Sequence, residues 1–479
     1  MGAVTDVLTM LGVIRKALKL KPLPGDTPLS LGSMVAQRAQ QSPDNVMVVF
    51  EGVTLTWGQF NTKANQMAHY LKSQGVKKGD AVALLMENRI ENLACVTALA
   101  KIGAVAAMIN TSLTEAPLLH CIKSVASVKV IVGQELLSPL SEIRSELGLA
   151  SNDIFWVQDA ALSGAGVAPE WAVALDFEGQ PGTDLPQTAE VTLSDLAYYI
   201  FTSGTTGLPK ASRITHDRHY RMSLGFSSIL LNMSEQDRIY ACLPLYHSSG
   251  MFICFGSIIH SGGSMFLRRK FSASNLLREA RQHQTTCFAY IGELCRYLLH
   301  QAPQPDDADN PIRKCVGNGL RPDIWMEFKT RFGIERVGEF YGASEGNAGC
   351  VNAFNKDCTV GFCGARHALV RYDVLNDELL RSRKGFCQKV KKGEAGLMLM
   401  EISKDAVFDG YVDPGATQKK ILTDVFKKGD RYFNSGDLLK QVDVGFALGL
   451  PHYQFVDRVG DTYRWKGENV STNEIGEII

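Results

Sequence analysis

Apolar positions along this chain change period repeatedly, and the changes mark its elements. The stretch NVMVVFEGVTLTWGQF (45–60) reads as two short strands about a Glu51–Gly52 turn. A helix follows, with Phe60, Ala64, Met67, Ala68 and Leu71 at helical spacing and Gly75 as its stop. Short all-apolar runs then alternate with helical ones: AVALLM (81–86) as a strand, 90–102 as a helix, AVAAMIN (104–110) as a strand, 114–124 as a helix and VKVIV (128–132) as a strand. Strands buried on both faces read as unbroken apolar runs, and intervening helices make their connections parallel. Residues 133–195 scatter Gly, Pro, Ser and Asp and read as one helix with surface loops.

The alternation resumes at YYIFT (198–202). RIYACLP (238–244), GSMFLR (263–268), TTCFAY (285–290), IRKCVG (312–317) and RVGEFY (336–341) read as strands, with helices near 247–260, 272–283, 292–301 and 321–332. APQPDDADNP (302–311) is a polar loop. Beyond about residue 360 the runs ALVRYDVLND, GLMLMEI, RYFNSGDLLKQV and YQFVDR have strand character with no clear helix between them, which predicts a small antiparallel sheet or barrel. The expected class is α/β: two parallel-sheet α/β subdomains plus a small antiparallel β-barrel-like subdomain. The expected divisions are 1–28, 29–195, 196–360, 361–456 and 457–479.

The first residues pose their own question. VTDVLTMLGVIRKALKLK (4–21) puts Val4, Val7, Leu8, Leu11, Ile14 and Leu18 on one helical stripe, followed by Arg15, Lys16, Lys19 and Lys21. No secretory cleavage signature is present, and Asp6 spoils a myristoylation site at Gly2. The segment is either a helix packed on the domain or an interfacial helix on a membrane surface.

Composition narrows this only slightly. Lys plus Arg equals Asp plus Glu at 50 each, so charge gives no reason to expect nucleic acid. The 11 cysteines include no C-x-x-C pair, which predicts reduced thiols, no zinc site and a cytoplasmic protein. No apolar run is long enough to predict a transmembrane helix.

The densest chemistry is YIFTSGTTGLPK (199–210). Three hydroxyl residues, two glycines and Lys210 follow an apolar strand between Ser203 and Lys210. Backbone N–H groups, hydroxyls and an ammonium are suited to phosphate oxygens. The spacing is not that of a Walker A loop. Further strings follow in order: LPLYHSSG (243–250), GNGLRPDIW (317–325), GEFYGASEG (338–346), FNSGDL (433–438) and DRVGDTYRWKGENVST (457–472).

Together these resemble the adenylate-forming superfamily of acyl-CoA synthetases, peptide-synthetase adenylation domains and luciferases, over about residues 30–479. YIGELCRYLL (290–299), GNGLRPD and GDTYRWKGENVST resemble its fatty acid transport protein and very-long-chain acyl-CoA synthetase group. The resemblance implies the N-terminal domain fold of those enzymes and activation of a long- or very-long-chain fatty acid with ATP, Mg²⁺ and CoA. It assigns ATP contacts to Thr202, Ser203, Gly204, Thr205, Thr206, Gly207, Lys210, Gly317, Asn318, Gly319, Tyr341, Gly342, Ser344, Asp437 and Arg458. It assigns Mg²⁺ to Glu345, chemistry to Thr202, Lys210, Glu345 and His247, and the acyl group to His247, Gly250, Gly292 and Gly342. The nucleophile is a carboxylate already ionised at pH 7, so the reaction needs positioning and charge neutralisation and no strong base. Gly250, Gly256, Gly292, Gly317, Gly319 and Gly342 are expected to leave a channel for the acyl chain.

In the family a lid domain of roughly a hundred residues follows the hinge and carries a lysine for adenylation. Here the sequence reads to Ile479, about twenty residues past Arg458, which predicts slow adenylation and very poor thioester formation. Two alternatives stay open: transfer of the acyl group to another acceptor, and a non-catalytic fatty-acid uptake or binding protein.

Overall fold

The computed structural model describes residues 3–18, 23–160, 162, 166–202, 208–343, 346–374, 376–404, 406–459, 462–465 and 468–471. Three main sheets organise it. The largest has nine strands, in the order Phe362–Cys363, Gly349–Val351, Arg336–Gly342, Lys314–Asn318, Cys287–Ile291, Arg238–Ala241, Ser264–Leu267, Val46–Phe50 and Val53–Thr56. From Arg336–Gly342 to Val46–Phe50 every pairing is parallel. The second sheet has seven strands, in the order Val173–Ala174, Ile154–Val157, Lys129–Gly133, Ala81–Leu85, Val105–Met108, Leu196–Thr202 and Lys210–Thr215. The third is antiparallel. His367–Val370, Ala395–Glu401 and Arg431–Val442 lie side by side, and the last also pairs with Ile421–Thr423 and His452–Arg458.

Local chemistry explains many boundaries. Glu51 and Gly52 both take positive φ, which turns Val46–Phe50 back onto Val53–Thr56. Thr56 then caps Trp57–Ser73 reciprocally with Gln59. Helix Ile90–Ile102 is apolar and buried on nearly every face. It belongs to one hydrophobic core that also takes in Val82 and Ile131 of one sheet and Val48 and Ile239 of the other.

The expected division at residues 195 and 196 does not follow the sheets. Val46–Phe50 and Val53–Thr56 belong to the nine-stranded sheet, while Leu196–Thr202 and Lys210–Thr215 close the seven-stranded one. Hydrophobic period marks a strand but not the sheet that accepts it. Several elements were not expected, among them helix Pro414–Lys419 in the region read as strands alone. IFWV forms the buried strand Ile154–Val157 inside the supposed loop region. Helix His216–Gly225 buries His216, His219 and Ser223, so its core face carries little apolar signal.

The cysteine expectation also needs correction. Cys350 and Cys363 are register partners on adjacent antiparallel strands and form a disulfide. Their 13-residue separation falls outside the spacings that flag a pair.

Candidate active site

The phosphate-type loop grows from an antiparallel hairpin. Leu196–Thr202 pairs with Lys210–Thr215, and Thr202 stands opposite Lys210 at the last register position. Ser203, Gly204, Thr205, Thr206 and Gly207 lie outside the described residues. The base of the hairpin is braced on both sides. His120 Nε2 lies 3.1 Å from the Pro209 carbonyl oxygen, and the Val412 N–H donates to the Ala211 carbonyl at 2.9 Å. The Lys210 ammonium sits 5.9 Å from the centre of the Tyr411 ring.

A second group forms where the nine-stranded and antiparallel sheets meet. Tyr341, buried near the end of Arg336–Gly342, donates its hydroxyl to Asp437 Oδ2 at 2.7 Å. Asp437 and Arg458 are cross-strand partners, and Arg458 Nε donates to Asp437 Oδ1 at 3.2 Å. Burial raises the Asp437 carboxyl above its ordinary range, against the opposing pull of the Tyr341 hydroxyl and the Arg458 guanidinium. Three residues from separate motifs are thus brought together. Ser344 and Glu345 lie outside the described residues.

Gly317, Asn318 and Gly319 end the neighbouring strand, with Gly319 at φ +87°. A residue missed in the sequence holds this turn. Glu339 is fully buried and accepts the N–H groups of Gly319 and Leu320 at 2.5 and 3.1 Å, together with the Tyr290 hydroxyl. Burial pushes its carboxyl up to about 8. The available signal was a lone charge inside the apolar strand run RVGEFY.

A cavity of about 620 Å³ opens beside Tyr341 and Gly342. Its apolar wall includes Phe226, Phe252, Ile253 and Phe340. Two π-helical turns supply much of that wall: Phe226–Leu230, continuing from helix His216–Gly225, and Ser249–Phe255, leading into helix Gly256–Ser261. Such widened turns recur at functional sites because they displace side chains from the regular helical ladder.

The glycines of the expected channel divide. Gly342 lines the cavity, and a Cβ there would meet nothing closer than 3.9 Å. At Gly250, Gly292 and Gly317 a Cβ would lie 2.4, 1.7 and 2.2 Å from a backbone carbonyl oxygen, and at Gly256 2.0 Å from Ser223 Oγ. Those four permit close packing, and none of them lines this cavity. His247 is exposed in the turn before the second π-helical segment, and its neighbour Ser248 lines the cavity.

Arg218 is a second residue that sequence reasoning missed. It lines the cavity and donates to the carbonyl oxygens of Gly346 at 2.5 Å and Ala343 at 3.4 Å. It also pairs with Asp409 at 3.5 Å. Its guanidinium therefore ties helix His216–Gly225 to both ends of the segment that carries Ser344 and Glu345. Among the described residues no three His, Cys, Asp or Glu side chains are grouped to hold a metal.

The AMP-binding enzyme family profile matches residues 35–412. The medium/long-chain fatty acid–CoA ligase FadD6 of Mycobacterium tuberculosis is 38% identical over 446 residues, covering 93% of this chain and 72% of that protein. Long-chain fatty acid transport protein 6 of Mus musculus is 36% identical over 488 residues, covering 99% and 76%. Among solved structures, the anthranilate CoA ligase AuaEII with anthranoyl-AMP superposes at TM-score 0.77 and 22% identity, over 95% of this chain and 82% of that one. ATP-bound MatB from Rhodopseudomonas palustris superposes at TM-score 0.74 and 22% identity, over 94% and 83%. The architecture described above is that of the N-terminal domain of adenylate-forming enzymes.

Proposed function

The chain belongs to the AMP-binding enzyme family, and from that premise we propose that it activates long-chain fatty acids. In the first step a carboxylate oxygen attacks the α-phosphorus of ATP. An acyl-phosphate bond forms and the bond to pyrophosphate breaks, leaving acyl-AMP. In the second step the thiol of CoA takes the acyl group, releasing AMP and a proton and leaving acyl-CoA. The observation that carries the reading is the junction of the apolar cavity with the Tyr341–Asp437–Arg458 group, because acyl-adenylate needs a lipid pocket and a nucleoside site that meet. The cavity volume falls within the range of small-molecule sites.

The residues suit the substrates. Tyr341 offers an aromatic face to the base, and Asp437 is a two-oxygen acceptor for the ribose hydroxyls. Lys210, Thr202 and the hydroxyls of Ser203, Thr205 and Thr206 would neutralise and orient the phosphates. Mg²⁺ carried on those phosphates prefers hard oxygen ligands and needs only one or two carboxylates, a role proposed for Glu345. When bound it would supply further charge neutralisation. Water exclusion falls to the Phe226, Phe252 and Phe340 wall.

Mass spectrometry of products from palmitate, Mg-ATP and CoA tests this. Palmitoyl-AMP or palmitoyl-CoA with one pyrophosphate per turnover is expected. ATP binding with neither product would overturn the reading in favour of a non-catalytic binder.

A further inference from the structure

Lys420 stands at the start of the strand beside the FNSGDL motif. It closes helix Pro414–Lys419, and its carbonyl oxygen accepts the Asn434 N–H at 2.8 Å. The strand that follows, Ile421–Thr423, pairs with Arg431–Val442, with Ile421 opposite Phe433. From there the side chain reaches the motif itself. Its ammonium lies 5.9 Å from the centre of the Phe433 ring. It ends beside Gly436, where a Cβ would stand 3.6 Å from the ammonium. Gly436, at φ +77°, immediately precedes Asp437.

We propose that the Lys420 ammonium is a further nucleotide contact, meeting a phosphate oxygen of the nucleotide whose ribose Asp437 accepts. This rests on the function proposed above and extends its site by one cation. Charge is the first support. Burial dominates the surroundings of the Asp437 carboxyl, and the Tyr341 hydroxyl, Arg458 and Lys420 all act against it. Arg458 donates a hydrogen bond to that carboxyl, whereas Lys420 acts on it only through space. Among the described residues Lys420 has no ion pair, so its charge stays available to an anion. Confinement is the second. Lysines ordinarily carry the ammonium out to water, but Lys420 is half-buried. Its ring partner is near the outer limit of useful cation–π attraction, about 6 Å, so Phe433 guides the stem without neutralising the head. Position is the third. The Phe433 ring is also a near neighbour of Gly346, where a Cβ would meet Phe433 Cε1 at 3.4 Å. Gly346 lines the cavity and follows Glu345 in sequence. Lys420 and the cavity wall thus share one aromatic neighbour, with Asp437 close by. A nucleotide's first phosphate is one carbon removed from its ribose ring, and lysine brings a point charge on a flexible four-carbon stem to such a group.

Equilibrium binding of AMP and of adenosine to the full chain tests this without turnover. The two ligands share base and ribose and differ in the phosphate. Lys420→Gln should weaken AMP about tenfold or more, the range for a hydrogen bond between charged groups, and leave adenosine unchanged. Lys420→Arg should restore most of the AMP affinity. Lys419→Gln, which removes an exposed charge from the preceding residue, should alter neither affinity. Thermal midpoints should stay together, since no ion pair is lost. AMP affinity untouched by Lys420→Gln but lowered by Asp437→Ala would overturn this inference and spare the proposed function. Equal losses for AMP and adenosine, or equal effects of Lys420→Gln and Lys419→Gln, would overturn it as well. A parent chain that binds neither ligand would overturn both.

Discussion

At the scale of single residues, Asp437 and Glu339 are both buried carboxylates, but their surroundings give them different work. Asp437 is held by one hydroxyl and one guanidinium, behind Tyr341, which lines the cavity. Removing it takes away the acceptor proposed for ribose. Asp437→Ala should raise the KM for ATP about 10- to 100-fold, the range for losing hydrogen bonds to a charged group, while circular dichroism stays unchanged. Unaltered KM would remove Asp437 from the site. Glu339 instead holds the Gly319–Leu320 turn from inside the sheet, with its carboxyl pushed up to about 8 by burial. Between the ordinary carboxylate range and about pH 8 the folded chain retains a proton that the unfolded chain has released, so this group costs stability as pH rises through that window. Glu339→Gln keeps acceptor and donor in place without ionising. Its Tm should exceed that of the parent at pH 8–9 and match it near pH 5; parallel pH profiles would contradict the burial argument. Arg218 binds Ala343 and Gly346, the residues on either side of Ser344 and Glu345 in sequence. Arg218→Gln should lower kcat more than tenfold, with Arg218→Lys recovering part of it because an ammonium reaches one carbonyl but not two.

At the scale of elements, helix His216–Gly225 shows why part of the fold was hidden. Strands such as AVALLM and VKVIV were legible because burial on both faces demands unbroken apolar runs. This helix meets the core through imidazoles and a small hydroxyl. His216 accepts the Leu31 N–H at 3.2 Å and His219 meets the Tyr198 hydroxyl at 2.8 Å. Desolvation drives His216 and the nearby His260 down to about 4 and also holds His219 well below its ordinary range. The folded chain keeps these rings neutral where the unfolded chain would protonate them. Stability is therefore complete above about pH 6.5 and lost as pH falls toward 4. Calorimetry should show Tm dropping by roughly 5 °C or more over that interval, and a flat profile would sink the account. The Cys350–Cys363 link was equally illegible, since pairing depends on register and not on spacing. A cross-link closing so short a loop contributes about 3 kcal/mol in the chain-entropy account. Cys363→Ser should then lower Tm by several degrees, an effect that reductant reproduces in the parent.

At the scale of the whole molecule, the residues of the candidate site are drawn from three sheets. Thr202 and Lys210 come from the seven-stranded sheet, Tyr341 from the nine-stranded one, and Asp437 and Arg458 from the antiparallel one. The motifs were readable as strings, because glycine, hydroxyl and charge interrupt apolar strand runs, at a strand end in GNGLRPD and inside the strand Arg431–Val442 in FNSGDL. Their meeting was not, since sheet membership and the π-helical cavity wall depend on contacts hundreds of residues apart. The cavity makes a further demand. Each buried methylene contributes about 0.8 kcal/mol, so kcat/KM should climb from acetate to palmitate; acetate outperforming palmitate would contradict a lipid pocket. The central claim, formation of an acyl-adenylate in this cleft, is tested most directly by exchange of labelled pyrophosphate into ATP in the absence of CoA. The account predicts exchange that requires both Mg²⁺ and a long-chain fatty acid and that falls with Asp437→Ala. No exchange with ATP and palmitate both bound, or exchange indifferent to fatty acid, would contradict it.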